Sequence, residues 1–95
     1  MFKINNHPKG YGDFSQDVPS GFQITFENGN TISVQFGFGN YCENRDESKP
    51  ECATAEIAIW NKDGKWYDFG SDTVKGWCTP DEVGQFIQLA MTTTI

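Results

Sequence analysis

Gly21-Phe22-Gln23-Ile24-Thr25-Phe26-Glu27-Asn28-Gly29-Asn30-Thr31-Ile32-Ser33-Val34-Gln35-Phe36-Gly37 decides the fold. Each half alternates apolar and polar residues with a period of two, the pattern of a half-buried strand. Phe22, Ile24 and Phe26 share one face of the first half, and Ile32, Val34 and Phe36 share one face of the second. A two-residue loop at Asn28-Gly29 would set Phe26 against Thr31 and Ile24 against Ser33, mixing apolar and polar groups. A three-residue loop, Asn28-Gly29-Asn30, sets Phe26 against Ile32, Ile24 against Val34 and Phe22 against Phe36. A one-residue slip turns over a whole face, so the apolar match is expected, with Asn30 in the left-handed conformation. Strands are thus expected over 21–27 and 31–37.

The same period continues downstream. Residues 54–60 and 65–69 read as a second hairpin around Asn61-Lys62-Asp63-Gly64, a type I turn with Gly64 at the bulge position. That register pairs Trp60 with Trp66, Ile59 with Tyr67 and Ile57 with Phe69. Ala55, Ile57, Ile59, Tyr67 and Phe69 then face the core, while Glu56, Ala58, Trp60, Trp66 and Asp68 face away. A short strand is expected over 73–78. It leads into Thr79-Pro80-Asp81-Glu82, which reads as an N-cap, a first-turn proline and a capping box. Val83, Phe86, Ile87, Ala90 and Met91 follow at helical spacing, and the helix is expected to end near Met91. The fold class is α+β: an antiparallel β-meander of four to five strands with one C-terminal helix packed on the sheet.

Residues 1–20 read as an irregular N-terminal arm, punctuated by Pro8, Gly10, Gly12 and Pro19, with a short edge strand over 2–5. Residues 21–95 form the single α+β domain, as 95 residues allow. The stretch from Gly37 to Ala53 is the longest connection, and its centre (Cys42 to Cys52) is charged and without an apolar anchor. Loops of this kind carry function more often than the elements they join.

The formal charge is −6. Phosphate backbones require clustered Lys and Arg, so direct nucleic-acid binding is not expected, whereas a basic protein partner fits. Met1-Phe2-Lys3-Ile4-Asn5-Asn6 has no apolar signal-peptide core, and no run reaches membrane-spanning length. With three cysteines, Cys42, Cys52 and Cys78, a reducing cytoplasmic setting is expected. His7 is the single histidine, which leaves neither a recognised metal-ligand spacing nor a nucleophile–base–orienter set. Neither a cofactor, a metal nor an enzymatic activity is expected.

Binding suits the residues better. Gly37 and Gly39 let another group approach the backbone, Asn40, Tyr41 and Asn44 offer hydrogen bonds, and Arg45 offers a forked cation. Eight Phe, three Trp and three Tyr exceed what a core this small hides easily. Trp60 and Trp66, side by side, form either a protein-interface anchor, a stacking platform or a stabilising cross-strand pair.

The runs Phe26-Glu27-Asn28-Gly29, Ser33-Val34-Gln35-Phe36-Gly37 and Gly39-Asn40-Tyr41-Cys42 resemble small bacteriophage-encoded accessory proteins of unassigned function. So do Ala55-Glu56-Ile57-Ala58, Trp60-Asn61-Lys62-Asp63-Gly64 and Val74-Lys75-Gly76-Trp77 leading to Thr79-Pro80-Asp81-Glu82-Val83. The resemblance covers residues 21–90 and brings no activity with it. What it implies is origin: a phage protein acting in the host bacterial cytoplasm. The expected function is counter-defence by non-covalent binding, inhibiting a host immune protein such as a nuclease complex. The alternative is a homo-oligomeric sponge that sequesters a nucleotide immune signal through the loop of residues 37–45.

Overall fold

The central hairpin forms, but its register lies two residues from the expected one. The structure, a computed structural model, describes residues 2–6, 19–36 and 53–95. Strand β2 (Pro19–Thr25) pairs antiparallel with β3 (Thr31–Gln35), Ile24 opposite Ile32 and Phe22 opposite Val34. The loop is Glu27-Asn28-Gly29. It is closed by the Phe26 N–H donating to the Asn30 carbonyl at 2.8 Å and the Gly29 N–H donating to the Phe26 carbonyl at 3.0 Å. The left-handed residue is Gly29, with φ 90°, rather than Asn30. Glycine enters that region without the steric cost asparagine carries. A two-residue shift keeps every apolar side chain on its own face, so the patterning that excluded the one-residue slip does not distinguish the two registers.

The hairpin sits in a five-stranded antiparallel sheet of order β1-β2-β3-β4-β5. Strand β1 (Phe2–Asn6) lies along β2, with Phe2 opposite Ile24 and Ile4 opposite Phe22. The short edge strand expected over 2–5 forms, one residue longer, and Pro19 and Ser20 open β2. Gly21 is buried where β2 passes β3, and a Cβ there would collide with the Val34 carbonyl oxygen. Strand β4 (Ala55–Trp60) pairs with β3, Ile57 opposite Val34 and Ile59 opposite Ile32.

The outer edge of β4 is covered in two pieces, which corrects the expected strand over 65–69. After the Asn61–Gly64 turn, Trp66 forms a single bridge to Trp60, and the Tyr67 N–H donates to the Ile59 carbonyl at 2.7 Å. The chain then leaves the sheet. The Asp68 carboxylate accepts from the Gly70 N–H at 2.7 Å, Gly70 takes φ 125°, and the Phe69 N–H donates to the Asp72 carbonyl at 2.9 Å. It returns as β5 (Lys75–Cys78), with Lys75 opposite Ile57 and Cys78 opposite Ala55. Two steps along β4 face three steps along β5, so β5 carries a bulge, and within it Trp77 adopts φ 59°.

Helix α1 (Pro80–Thr92) covers one face of the sheet. Beneath it Ile32, Val34, Ala55, Ile57, Ile59, Cys78 and Ala90 form the buried core. Met91, expected on the apolar stripe, is 52% exposed, and Leu89 packs against the core in its place. The excursion of residues 68–72 reaches the same helix. It brings Phe69 edge-on to Phe86, with ring centroids 5.3 Å apart. Phe69, Phe86 and Leu89 all pack against the core.

Candidate functional site

Trp60 and Trp66 meet on the sheet face away from the helix. The Asn61–Lys65 turn places them: the Asn61 side-chain carbonyl accepts from the N–H groups of Asp63 and Lys65, both at 2.9 Å. The Gly64 N–H closes the turn on the Asn61 carbonyl at 3.0 Å, with Gly64 at φ 83°. This fixes the bridge between the two tryptophans, whose rings stack with centroids 5.0 Å apart and planes 30° apart. Trp60 is half-buried, and Trp66 is 44% exposed. An offset stack of this kind holds both rings without a further partner.

The rest of this face is polar and fine-grained. Thr31 lies opposite Trp60, and Ser33 lies opposite Ala58. Thr31, Ser33 and Ala58 are buried. The Thr25 and Thr31 hydroxyls are 2.8 Å apart, and the Gln35 amide donates to the Ser33 hydroxyl at 3.0 Å. The tryptophan stack thus stands at one end of a row of covered side chains whose described hydroxyls are paired with each other or with an amide.

Of the site residues expected from sequence, Trp60 and Trp66 are brought together. Gly37, Gly39, Asn40, Tyr41, Asn44 and Arg45 lie outside the described residues, as do His7, Cys42 and Cys52. Cys78 is 1% exposed, its thiol 3.6 Å from the Lys75 carbonyl. Burial pushes that thiol up, with Glu82 adding to the effect and Lys75 opposing it. This is the reverse of an activated nucleophile. Among the described residues no group of three or more His, Cys, Asp or Glu is placed to hold a metal ion.

Two features escaped the sequence reading. Trp77 is 51% exposed in a conformation rare for a bulky residue, and the only hint was its place between Gly76 and the helix cap. An apolar cavity of about 220 Å³ opens between the sheet and the first turn of α1. No periodicity signals it, because it depends on how the helix is set above the strands. No helix among the described residues is long and apolar enough to cross a membrane. Protein-family models, curated proteins and solved structures contain no match to this chain.

Proposed function

We propose that this protein acts by non-covalent binding to another protein, with the Trp60–Trp66 stack as its anchor. The observation that carries the reading is the stack itself: two indoles held face to face by a rigid turn, with Trp66 44% exposed. Tryptophan is enriched among the few residues that dominate interface energetics, and an ordered ring loses little freedom on docking. The formal charge of −6 favours a partner with a basic surface and would speed its capture. Taken with the resemblance of residues 21–90 to phage accessory proteins, the reading extends to counter-defence in the host cytoplasm: occlusion of a basic host immune protein, such as a nuclease complex.

The test is pull-down from bacterial host lysate with the wild type and Trp66→Ala, followed by titration of the captured partner. Trp66→Ala is expected to stay folded and to lose about 0.5–1.5 kcal/mol of stability, because the ring stacks on Trp60. It is expected to weaken the complex by about 2 kcal/mol, roughly 30-fold. Unchanged affinity in Trp66→Ala and Trp60→Ala, with both folded, overturns the anchor. Native mass spectrometry that finds a homo-oligomer carrying a nucleotide overturns protein binding and returns attention to Arg45 and its loop.

A further inference from the structure

Asn28 is the one asparagine of the sequence that is followed by a glycine. With no Cβ on the next residue, the backbone nitrogen there reaches the asparagine side chain against the least steric hindrance. The reaction that this pairing permits needs no outside catalyst. The Gly29 nitrogen bonds to the side-chain carbonyl carbon of Asn28, the bond from that carbon to Nδ2 breaks, and the Gly29 proton leaves with the amide group as ammonia. Water then adds across either of the two carbon–nitrogen bonds in the cyclic imide, giving aspartate or isoaspartate.

In the folded protein, hydrogen bonds occupy each group that the reaction uses. The Gly29 N–H donates to the Phe26 carbonyl at 3.0 Å, which holds its proton in place. Asn28 Oδ1 accepts from the Asn30 N–H at 3.0 Å, and Nδ2 donates to the Ala90 carbonyl, 62 residues away, at 3.0 Å. The buried Asn30 amide reinforces that long-range contact by donating to the Ala90 and Thr93 carbonyls at 3.0 and 2.8 Å. Asn28 itself is exposed, so water reaches it. The restraint is therefore the docking of the last turn of α1 on the β2–β3 loop, and the reaction proceeds from the fraction of molecules in which that loop is released.

The product cannot rebuild the contact. A carboxylate has no N–H to offer the Ala90 carbonyl, and it meets the negative end of the helix dipole. The last turn of α1 holds no basic residue, and Lys62 is accompanied by Asp63 in the hollow that Asn28 lines. Isoaspartate also lengthens the main chain of a tight loop by one methylene.

We propose that Asn28 is a site of spontaneous deamidation, restrained by the docking of α1 on the β2–β3 loop, and that the conversion removes part of the docking that restrains it. The inference stands apart from the tryptophan anchor.

The experiment follows the full chain in mildly alkaline buffer, with peptide mapping by mass spectrometry to count aspartate and isoaspartate at position 28. Folded wild type is expected to convert at least about ten-fold more slowly than the same chain unfolded in urea, and folded Asn30→Ala at least about three-fold faster than wild type. If Asn30→Ala does not fold, wild type at graded urea below its unfolding transition takes its place, and the rate should climb with urea. Asn28→Asp, which reproduces one product, should melt roughly 5 °C below wild type. Equal rates in the folded and unfolded chain overturn the proposal. So does an unchanged rate in folded Asn30→Ala, a rate flat across the graded urea series, or an Asn28→Asp variant that melts with wild type.

Discussion

The two ends of helix α1 are finished in opposite ways. At the N-terminus the cap is local: Thr79 and Glu82, three residues apart, satisfy each other's N–H groups. At the C-terminus the cap comes from far along the chain. The Asn30 amide donates to the Ala90 carbonyl at 3.0 Å and to the Thr93 carbonyl at 2.8 Å, and the Asn28 amide donates to the Ala90 carbonyl at 3.0 Å. The last turn of a helix leaves carbonyls without intrahelical partners, and here the β2–β3 loop supplies donors to them. The same end has the fully buried Ala90, whereas the local cap stands over the cavity. A self-sufficient cap needs no donor from the sheet. A borrowed cap ties its end down.

Removing the borrowed cap should have the largest effect. Asn30→Ala deletes a 3%-exposed side chain and leaves two carbonyls without that donor. The expected loss is about 2–3 kcal/mol, on the order of 10 °C in melting temperature for a domain of this size. A loss under about 0.5 kcal/mol in a urea titration would mean that the C-terminal end is held by packing alone.

Thr79→Ala tests the local cap and should cost about 1 kcal/mol. The pH dependence carries the sign. Hydrogen bonds from the Thr79 N–H and hydroxyl, with Lys75 nearby, hold the Glu82 carboxyl below the usual carboxylate range. The unfolded chain then binds the proton more readily than the folded one as the pH falls. The contribution of Glu82 is present above about pH 4.3, the unfolded value, and is lost as the pH drops through the folded value. The gap in stability between wild type and Thr79→Ala should therefore narrow in acid. A constant gap between pH 7 and pH 3 would assign the cap to the hydroxyl alone.

The smallest effect is a gain. Gly84 lies in the body of the helix, and a Cβ there meets nothing within 4 Å. Gly84→Ala should stabilise by about 0.5–1 kcal/mol through the backbone entropy of the unfolded chain. Melting curves of the single and double variants should show Gly84→Ala offsetting most of Thr79→Ala but little of Asn30→Ala.

What the sequence disclosed follows the same division between local and distant causes. The capping box, the Asn61–Gly64 turn and the Trp60–Trp66 pair each rest on residues within about six positions, and all were legible. The register of the first hairpin was not, because two registers an even number of residues apart bury the same apolar face. The choice between them involves Asn30, whose partners lie 60 and 63 residues away. Nor was the break in the strand after Tyr67 legible. There Phe69 leaves the sheet for Phe86, a contact across the fold. Half of the candidate site, the tryptophan stack, was readable as a cross-strand pair. The cavity was not, since its shape is set by the spacing of two layers rather than by any run of residues.

The bulge at Trp77 has a consequence for how copies of this chain behave in a crowded solution. A straight, exposed sheet margin is a template on which further strands can polymerise. Beyond β4 the described margin is a four-residue strand, broken by a residue at φ 59° that throws an indole outward and turns the backbone out of line. An incoming strand finds no continuous ladder to extend there. The same kink that displays Trp77 closes that side of the sheet to fibrous growth, so the protein can be abundant and rich in aromatic surface without templating its own aggregation from β5.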